Sequence, residues 1–582
     1  MEEKWLTDYP ASERYPHYTR ANAGEVLPTP ASPFGQTYAF DNAIGLGFQE
    51  ASIVMGAYEE DDYRDGKPEM VSFFGGYFYI NMSCVRMQAV RNPAITVEQL
   101  DLAFFGERPD TPEYEPHPMD EKPHLKTKID AHMEFVLTTS EWAAIDEEKA
   151  HAKAIRMARP NLQEASDEEL LSRLREMHPL IKEFTTNQMV TATSAAIPPG
   201  MLAAVGEAIG DPTIPMRLLA GLGDVDSAAP SFDLWEMSRQ VRNDEQLLAE
   251  FEAGMEGLLD RIQKLETPQG KAFLTAFEEF IFSYGSRGPN EWELSSQTWE
   301  TDPNIPLVTI DRVRKQGDDK NPVIGAQKSV EGREQLVADV RSQLDEIGDK
   351  ELEGVFEGAL IGGNQMVFRE RCKTTLVRVL HESRMAIREL GRRHAELENI
   401  DNSENIFMLL DEELEAFIAD PRSFHVVLAE RFAEWIKLWD LTPPFFLRDG
   451  IIPPLSEWDD ADVVEHPFAK EGDVLTGTAG SPGVVEGKAK IVSDPTDPPE
   501  LLPGDIMVAP LTDPAWTPLF LAVDGIVVNV GGQVSHAVIV SRELGLPCVV
   551  SVANATERIQ NGARIQVNGT TGEVKILERF DE

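Results

Sequence analysis

The period of the apolar positions changes along the chain, and each change marks a region. Residues 1–135 are mixed and rich in Pro and Gly. Within them Met70-Val71-Ser72-Phe73-Phe74-Gly75-Gly76-Tyr77-Phe78-Tyr79-Ile80-Asn81 predicts a hairpin, with aromatic and β-branched strands around a glycine turn. Residues 136–440 follow a helical period. Asp167–Arg175 opens with acids in its first turn. Gln246–Leu265, Gly332–Leu352 and Val367–Ala395 are longer amphipathic stretches, the second with charges alternating as on a solvated helical arm. Pro443, Pro444, Pro453, Pro454 and Pro467, set among Asp459, Asp460, Asp462 and Glu465, break that period and predict a semi-rigid hinge linker over 441–472. Residues 473–582 then alternate short apolar strands with short helices, as in a compact β/α domain. The expected fold is multidomain α+β: a body over 1–440, mixed to 135 and mainly helical from 136, then the linker, then the β/α domain.

Composition narrows the classes of function. The chain has 582 residues, 42% hydrophobic and 26% charged, as in a globular protein of several domains. Its net charge is −47, and residues 473–582 carry 14 acidic and 7 basic side chains, so the first 472 residues hold −40 of it. Such a surface repels nucleic acid and anionic membranes, so neither is an expected partner. Cys84, Cys372 and Cys548 are scattered, with neither disulfide nor metal-ligand spacing. No basic segment with an apolar run opens the chain, and no uninterrupted run of 18 apolar residues occurs. A cytoplasmic protein without a membrane span is expected, and no metal site.

One segment carries chemistry. Ile526-Val527-Val528-Asn529-Val530 reads as a buried strand, Gly531-Gly532 as a turn, and Ser535 as the N-cap of a short amphipathic helix. His536 then falls at the first helical position. There the free N–H groups and the positive end of the helix dipole hold an anion such as phosphate.

The string Gly531-Gly532-Gln533-Val534-Ser535-His536, continuing to Arg542-Glu543-Leu544-Gly545-Leu546-Pro547, resembles the signature of the phosphohistidine swivelling domain of PEP-utilising enzymes. Ser481-Pro482-Gly483 and Thr512-Asp513-Pro514-Ala515-Trp516-Thr517-Pro518, where Thr517 reads as an N-cap, resemble the same domain. The resemblance runs from about residue 26 to 578 and is weakest before 100. It implies that His536 is phosphorylated during the reaction and that the 1–440 body binds the acceptor. No ATP-grasp phosphate loop with a following Lys is found, and no PEP-binding barrel is expected after the histidine domain. The arrangement therefore resembles the large phosphotransferase subunit of phenylphosphate synthase and of hydroxyphenyl-ketone dikinases, and the later two-thirds of rifampicin phosphotransferase.

The resemblance implies a dikinase subunit working with a separate ATP-grasp subunit that holds ATP and Mg²⁺. The phosphate on His536 would pass to a phenolic hydroxyl, giving an aryl phosphate, AMP and inorganic phosphate. A rifampicin-like antibiotic is the alternative acceptor, and a non-catalytic phosphohistidine regulator is the alternative of another class. The aromatics of 73–79 read first as core, although an aromatic substrate would need such a wall.

Two further segments offer cations. Arg369 and Lys373 share a helix face at i, i+4, where Arg forks onto phosphate oxygens and Lys acts as a point charge. Spacing alone favours a solvated face, or Arg371 and Lys373 pairing with nearby acids; by resemblance to an Arg-Glu-x-x-Lys helix of rifampicin phosphotransferase relatives Arg369 and Lys373 face the transferred phosphate. Tyr284-Gly285-Ser286-Arg287-Gly288-Pro289-Asn290-Glu291 resembles that family's Gly-His-Arg-Gly-x-x-Glu segment, with Ser286 standing where the family has His. Arg287 and Glu291 match it, either organising a substrate site or pairing with each other. Ile406–Leu414 resembles a structural segment of the same family.

Overall fold

A computed structural model describes residues 4–579 apart from 65, 93–94, 106–107, 109, 224, 461–465, 496–497, 514–515 and 533–534. The chain divides into two compact units. The first comprises residues 1–194, 292–295 and 372–464; the second comprises 195–291, 296–371 and 465–582.

The first unit is built on a four-stranded antiparallel sheet in the order Val71–Phe74, Tyr77–Asn81, Tyr18–Thr19, Phe446–Leu447. The expected hairpin is present, with Phe73 opposite Phe78 and Phe74 opposite Tyr77. Gly75 and Gly76 both have positive φ (57° and 76°), as a two-residue hairpin turn requires. A Cβ on Gly75 would stand 2.6 Å from the Trp458 ring, so the turn admits no side chain. The aromatics of 73–79 are core: they pack with Phe34, Phe40 and Leu438. Helices Asp167–Ser194 and His425–Leu438 complete that core. Gly35–Ile44 is a π-helix, a rare conformation that is frequent at functional sites.

Several expectations are corrected here. Residues 441–460 are not free linker. Leu441–Thr442 pairs with Asp459–Asp460, and Leu441, Phe446, Leu447, Leu455 and Trp458 are buried in the first unit. The prolines shape a tightly packed excursion, because five apolar side chains outweigh the solvating acids. Gln246–Leu265 is two short helices, Glu245–Glu252 and Leu258–Gln263, split where Gly254 and Gly257 take positive φ. Gly332–Leu352 spans the end of one helix (Pro322–Ile347), a left-handed Gly348 and the start of another (Lys350–Gly362). Asp349 caps the second by accepting from Glu351 N and Leu352 N, and Arg341 pairs with Glu357 across this helical hairpin at 2.7 Å. The 43-residue stretch Asp167–Ile209 is long and apolar enough to cross a membrane by length and composition alone. It is broken after Ser194, and 44% of its most apolar window is buried within the protein.

The second unit joins a helical portion to the expected β/α domain. That domain is an eight-stranded sheet: β1 (Val474–Thr476), β2 (Thr478–Ser481), β3 (Val484–Ile491), β4 (Asp505–Ala509), β5 (Gly525–Val528), β6 (Cys548–Val550), β7 (Arg564–Asn568) and β8 (Glu573–Glu578), in the order β1-β8-β7-β3-β4-β5-β6-β2. The four central strands β3 to β6 are parallel and the flanking pairs antiparallel. β4, β5 and β6 are wholly buried, the pattern of parallel strands covered on both faces. Helices α1 (Thr517–Phe520), α2 (His536–Leu544) and α3 (Ala555–Arg558) connect them.

Candidate functional site

The chemistry gathers at the carboxyl ends of β4 and β5, where open α/β sheets bind ligands. The chain leaves β5 at Val528, turns through Gly531-Gly532 and enters α2 at His536. Gly531 leaves the turn its room: a Cβ there would stand 3.0 Å from Ser535 Oγ. Ser535 occupies the N-cap position as expected, with extended dihedrals (φ −68°, ψ 161°), but its hydroxyl makes no capping bond. That Oγ is buried without a hydrogen-bond partner among the described residues, beside the histidine and at the positive end of the helix. Gln533 and Val534 of the motif lie outside the described residues, as do Pro514 and Ala515 of the Thr-Asp-Pro segment.

His536 is half-buried. Its Nδ1 lies 3.2 Å from Thr512 Oγ1 and its Nε2 2.9 Å from Thr517 Oγ1. Phe520 meets the ring edge-on at 5.9 Å between centroids. A hydroxyl can donate to an imidazole nitrogen or accept from it, so this pair fits either tautomer and fixes the ring plane. Thr517 was expected as an N-cap. It is instead the first residue of α1, preceded by Trp516, and its side chain is spent on the histidine. Nothing in the sequence of this segment links Thr512 or Thr517 to His536; only the approach of the β4 loop to the β5 loop brings them together.

The other candidates divide. Arg287 and Glu291 pair with each other: Arg287 Nη1 donates to Glu291 Oε1 at 3.0 Å and to Oε2 at 3.3 Å, with both side chains almost wholly buried. Of the two readings open for them, the structure contains the mutual pair. Ser286 is buried beside it. Asn290, at positive φ (53°), donates its backbone N–H to the Asp513 carboxylate at 2.9 Å, which ties this segment to the loop carrying Thr512. Arg369 and Lys373 lie one turn apart on the 33-residue helix Asn364–Glu396, both partly exposed. Arg369 Nη1 is 3.5 Å from Glu370 Oε1. The division between the two units falls inside this helix, between Arg371 and Cys372.

Within the first unit, sequence reasoning missed Glu293. It is wholly buried, and burial pushes its carboxyl above the ordinary range. Oε1 accepts from Ser32 Oγ at 2.6 Å and Ser295 N at 3.0 Å, while Oε2 has no hydrogen-bond partner among the described residues. Gly35, which opens the π-helix, must lack a Cβ, because that atom would stand 2.6 Å from Oε2. The three cysteines are buried free thiols, and no group of three or more His, Cys, Asp or Glu among the described residues could hold a metal ion.

Comparison with known proteins finds two family matches. Residues 187–362 match the rifampicin phosphotransferase fourth domain, and residues 501–572 match the mobile domain of PEP-utilising enzymes. The chain is 27% identical over 332 residues to a rifampicin phosphotransferase of Bacillus subtilis, covering 55% of this chain and 36% of the relative. It is 29% identical over 342 residues to a rifampicin phosphotransferase of Streptomyces sviceus (57% and 37%), and 29% identical over 355 residues to an uncharacterised phosphotransferase of Bacillus subtilis (60% and 41%). The matched region thus spans well under half the length of these relatives. The resemblance to PEP-utilising enzymes and to rifampicin phosphotransferases holds, as does the multidomain α+β organisation with its β/α domain.

Proposed function

We propose that the chain carries phosphate on His536 and passes it to the hydroxyl of an organic acceptor. The observation that carries this reading is the setting of His536 in a mobile-domain match. It stands at the start of α2, with one threonine hydroxyl on each ring nitrogen and the free hydroxyl of Ser535 beside it.

An ATP-grasp partner would hold ATP and Mg²⁺. An imidazole nitrogen attacks the β-phosphorus of ATP, AMP leaves, and water removes the γ-phosphoryl group as inorganic phosphate. The remaining N–P bond breaks as the acceptor oxygen bonds phosphorus and its proton is released. Arg369 and Lys373 would offset the charge on the phosphoryl group in flight, the largest contribution a protein makes to this chemistry.

Two acceptor classes were open from the sequence. Two of the three relatives above are named for rifampicin, which favours the bulky antibiotic-like alternative over a phenol. The test mixes the chain with an ATP-grasp partner and ATP labelled at the β-phosphate, then offers rifampicin and phenol in turn. The expected result is an acid-labile label on the protein, absent from His536→Ala, that passes to rifampicin with release of AMP. Acceptor phosphate formed by His536→Ala would sink the proposal. Label that never leaves the protein would favour a regulator instead.

A further inference from the structure

Glu543 lies at the far end of α2 from the histidine, and nothing in the phosphotransfer chemistry needs it. Its surroundings are unusual for a carboxylate. It is buried, and it accepts from Leu222 N at 3.3 Å. The N–H groups of Gly223 and Gly221 and the charge of Arg333 also pull on it, yet burial keeps its carboxyl above the ordinary range. Gly221 and Gly223 both have positive φ (65° and 70°), so successive N–H groups converge into an anion-holding nest. A Cβ on Gly221 would stand 2.5 Å from the Ser329 carbonyl, which pins the nest against the helix Pro322–Ile347.

The rest of α2 is seated on the same helix. A Cβ on Gly325 would stand 2.7 Å from Leu544 O, and Ser329 Oγ donates to Arg542 O at 3.3 Å. One turn earlier on the same face Ile539 packs with Val225, Ala228 and Val367, and Val367 lies two residues before Arg369. Separate contacts flank the seat: Lys320 pairs with Asp524 at 2.8 Å, and Gln316 Nε2 donates to Ala522 O at 3.0 Å.

We infer that Glu543 in the Gly221-Leu222-Gly223 nest is the latch that docks the phosphohistidine domain on the helical portion of the second unit, with the His536 helix against the turn that precedes Arg369. Glu543 is a positioning residue: it acts through the placement of α2. Its worth comes from filling the nest with acceptor oxygens, since three N–H groups left empty under a docked domain would carry an uncompensated desolvation cost. The placement bears on the reaction only if the phosphotransfer reading holds, but the docking is measurable without it.

The test uses the full chain with no nucleotide and no acceptor. Cysteines are placed by Lys320→Cys and Asp524→Cys, a contact separate from the latch, and the rate of disulfide formation between them reports the docked fraction. Buried Cys84, Cys372 and Cys548 give little background. Adding Glu543→Ala should slow cross-linking about tenfold, the scale of one lost buried hydrogen-bonded anchor. Glu543→Gln, which keeps an acceptor oxygen, should cross-link close to the parent rate. The inference is overturned if the Ala variant cross-links as fast as the parent. It is overturned equally if that variant melts the β3–β6 sheet, because Glu543 would then hold the domain's fold and not its docking. A chain that docks by this measure but forms no phosphohistidine would refute the proposed function and leave the latch standing.

Discussion

The two threonine hydroxyls beside His536 hold the imidazole from both ring nitrogens. Thr517 Oγ1 lies 2.9 Å from Nε2 and Thr512 Oγ1 3.2 Å from Nδ1, so neither ring nitrogen is left to choose its partner from solvent. Thr517→Val keeps the shape and removes one hydrogen bond. Phosphohistidine formation should fall roughly fivefold, the scale of about 1 kcal/mol, with the fold unchanged. Quench-flow labelling checks it, and an unchanged rate would show that the hydroxyl is only a neighbour. In the proposed function Arg369→Ala and Lys373→Ala bear on the step to the acceptor. Each should slow transfer to acceptor by about 10²–10³ while leaving histidine labelling intact, as for loss of one charge-stabilising donor. Labelling that fails alongside transfer would place these residues in folding or in the first half-reaction.

At the scale of elements, what the sequence makes legible is what is encoded locally. The hairpin at 71–81 and the strand–turn–helix around His536 each lie within 20 residues, where a period of two, a glycine turn and a cap suffice. What is not legible depends on partners distant in sequence. The prolines of 441–460 mark a linker until Leu447 pairs with Tyr18 and Trp458 covers Gly75. Glu543 has no meaning without Gly221 and Gly223, and Arg369 and Lys373 sit in a helix whose unbroken period gives no sign of a unit boundary. Gly75 offers a direct measure of such a distant partner. Gly75→Ala forces a Cβ to within 2.6 Å of a buried indole at a positive φ, and should cost the first unit about 1–3 kcal/mol in urea unfolding. A neutral substitution would mean that the excursion over 441–460 yields freely.

At the scale of the whole molecule, the −47 charge and the buried acids act in the same direction. In the first unit burial raises Asp8 to about 6, and Asp41 and Glu148 to about 7; Lys67, the Gln36 side chain and Tyr9 offset only part of this at Asp41. A carboxyl raised in the folded state binds its proton more tightly there. Its stabilising contribution is full below its unfolded value, 3.8 for Asp41, and is lost as pH rises through about 7. Asp62 and Glu382, held low beside Arg91, Arg159 and Arg173, work the opposite way but only below the ordinary carboxyl range. Burial lowers His132 to about 4, which works the opposite way up to its unfolded value of 6.5, so the melting temperature should fall from pH 6.5 to pH 8, and Asp41→Asn should flatten that slope. A melting temperature that rises over this interval would refute the assignment.

The route of the chain between its two units has a consequence for how such proteins can be recombined. The backbone passes from one unit to the other at 194/195, 291/292, 295/296, 371/372 and 464/465. The segment beyond any of the first four holds parts of both units, and a crossover at 371/372 would also sever a continuous helix. Only the last passage divides the gene so that everything beyond it belongs to a single unit. Residues 465–582 can thus be exchanged as one block that leaves the first unit whole.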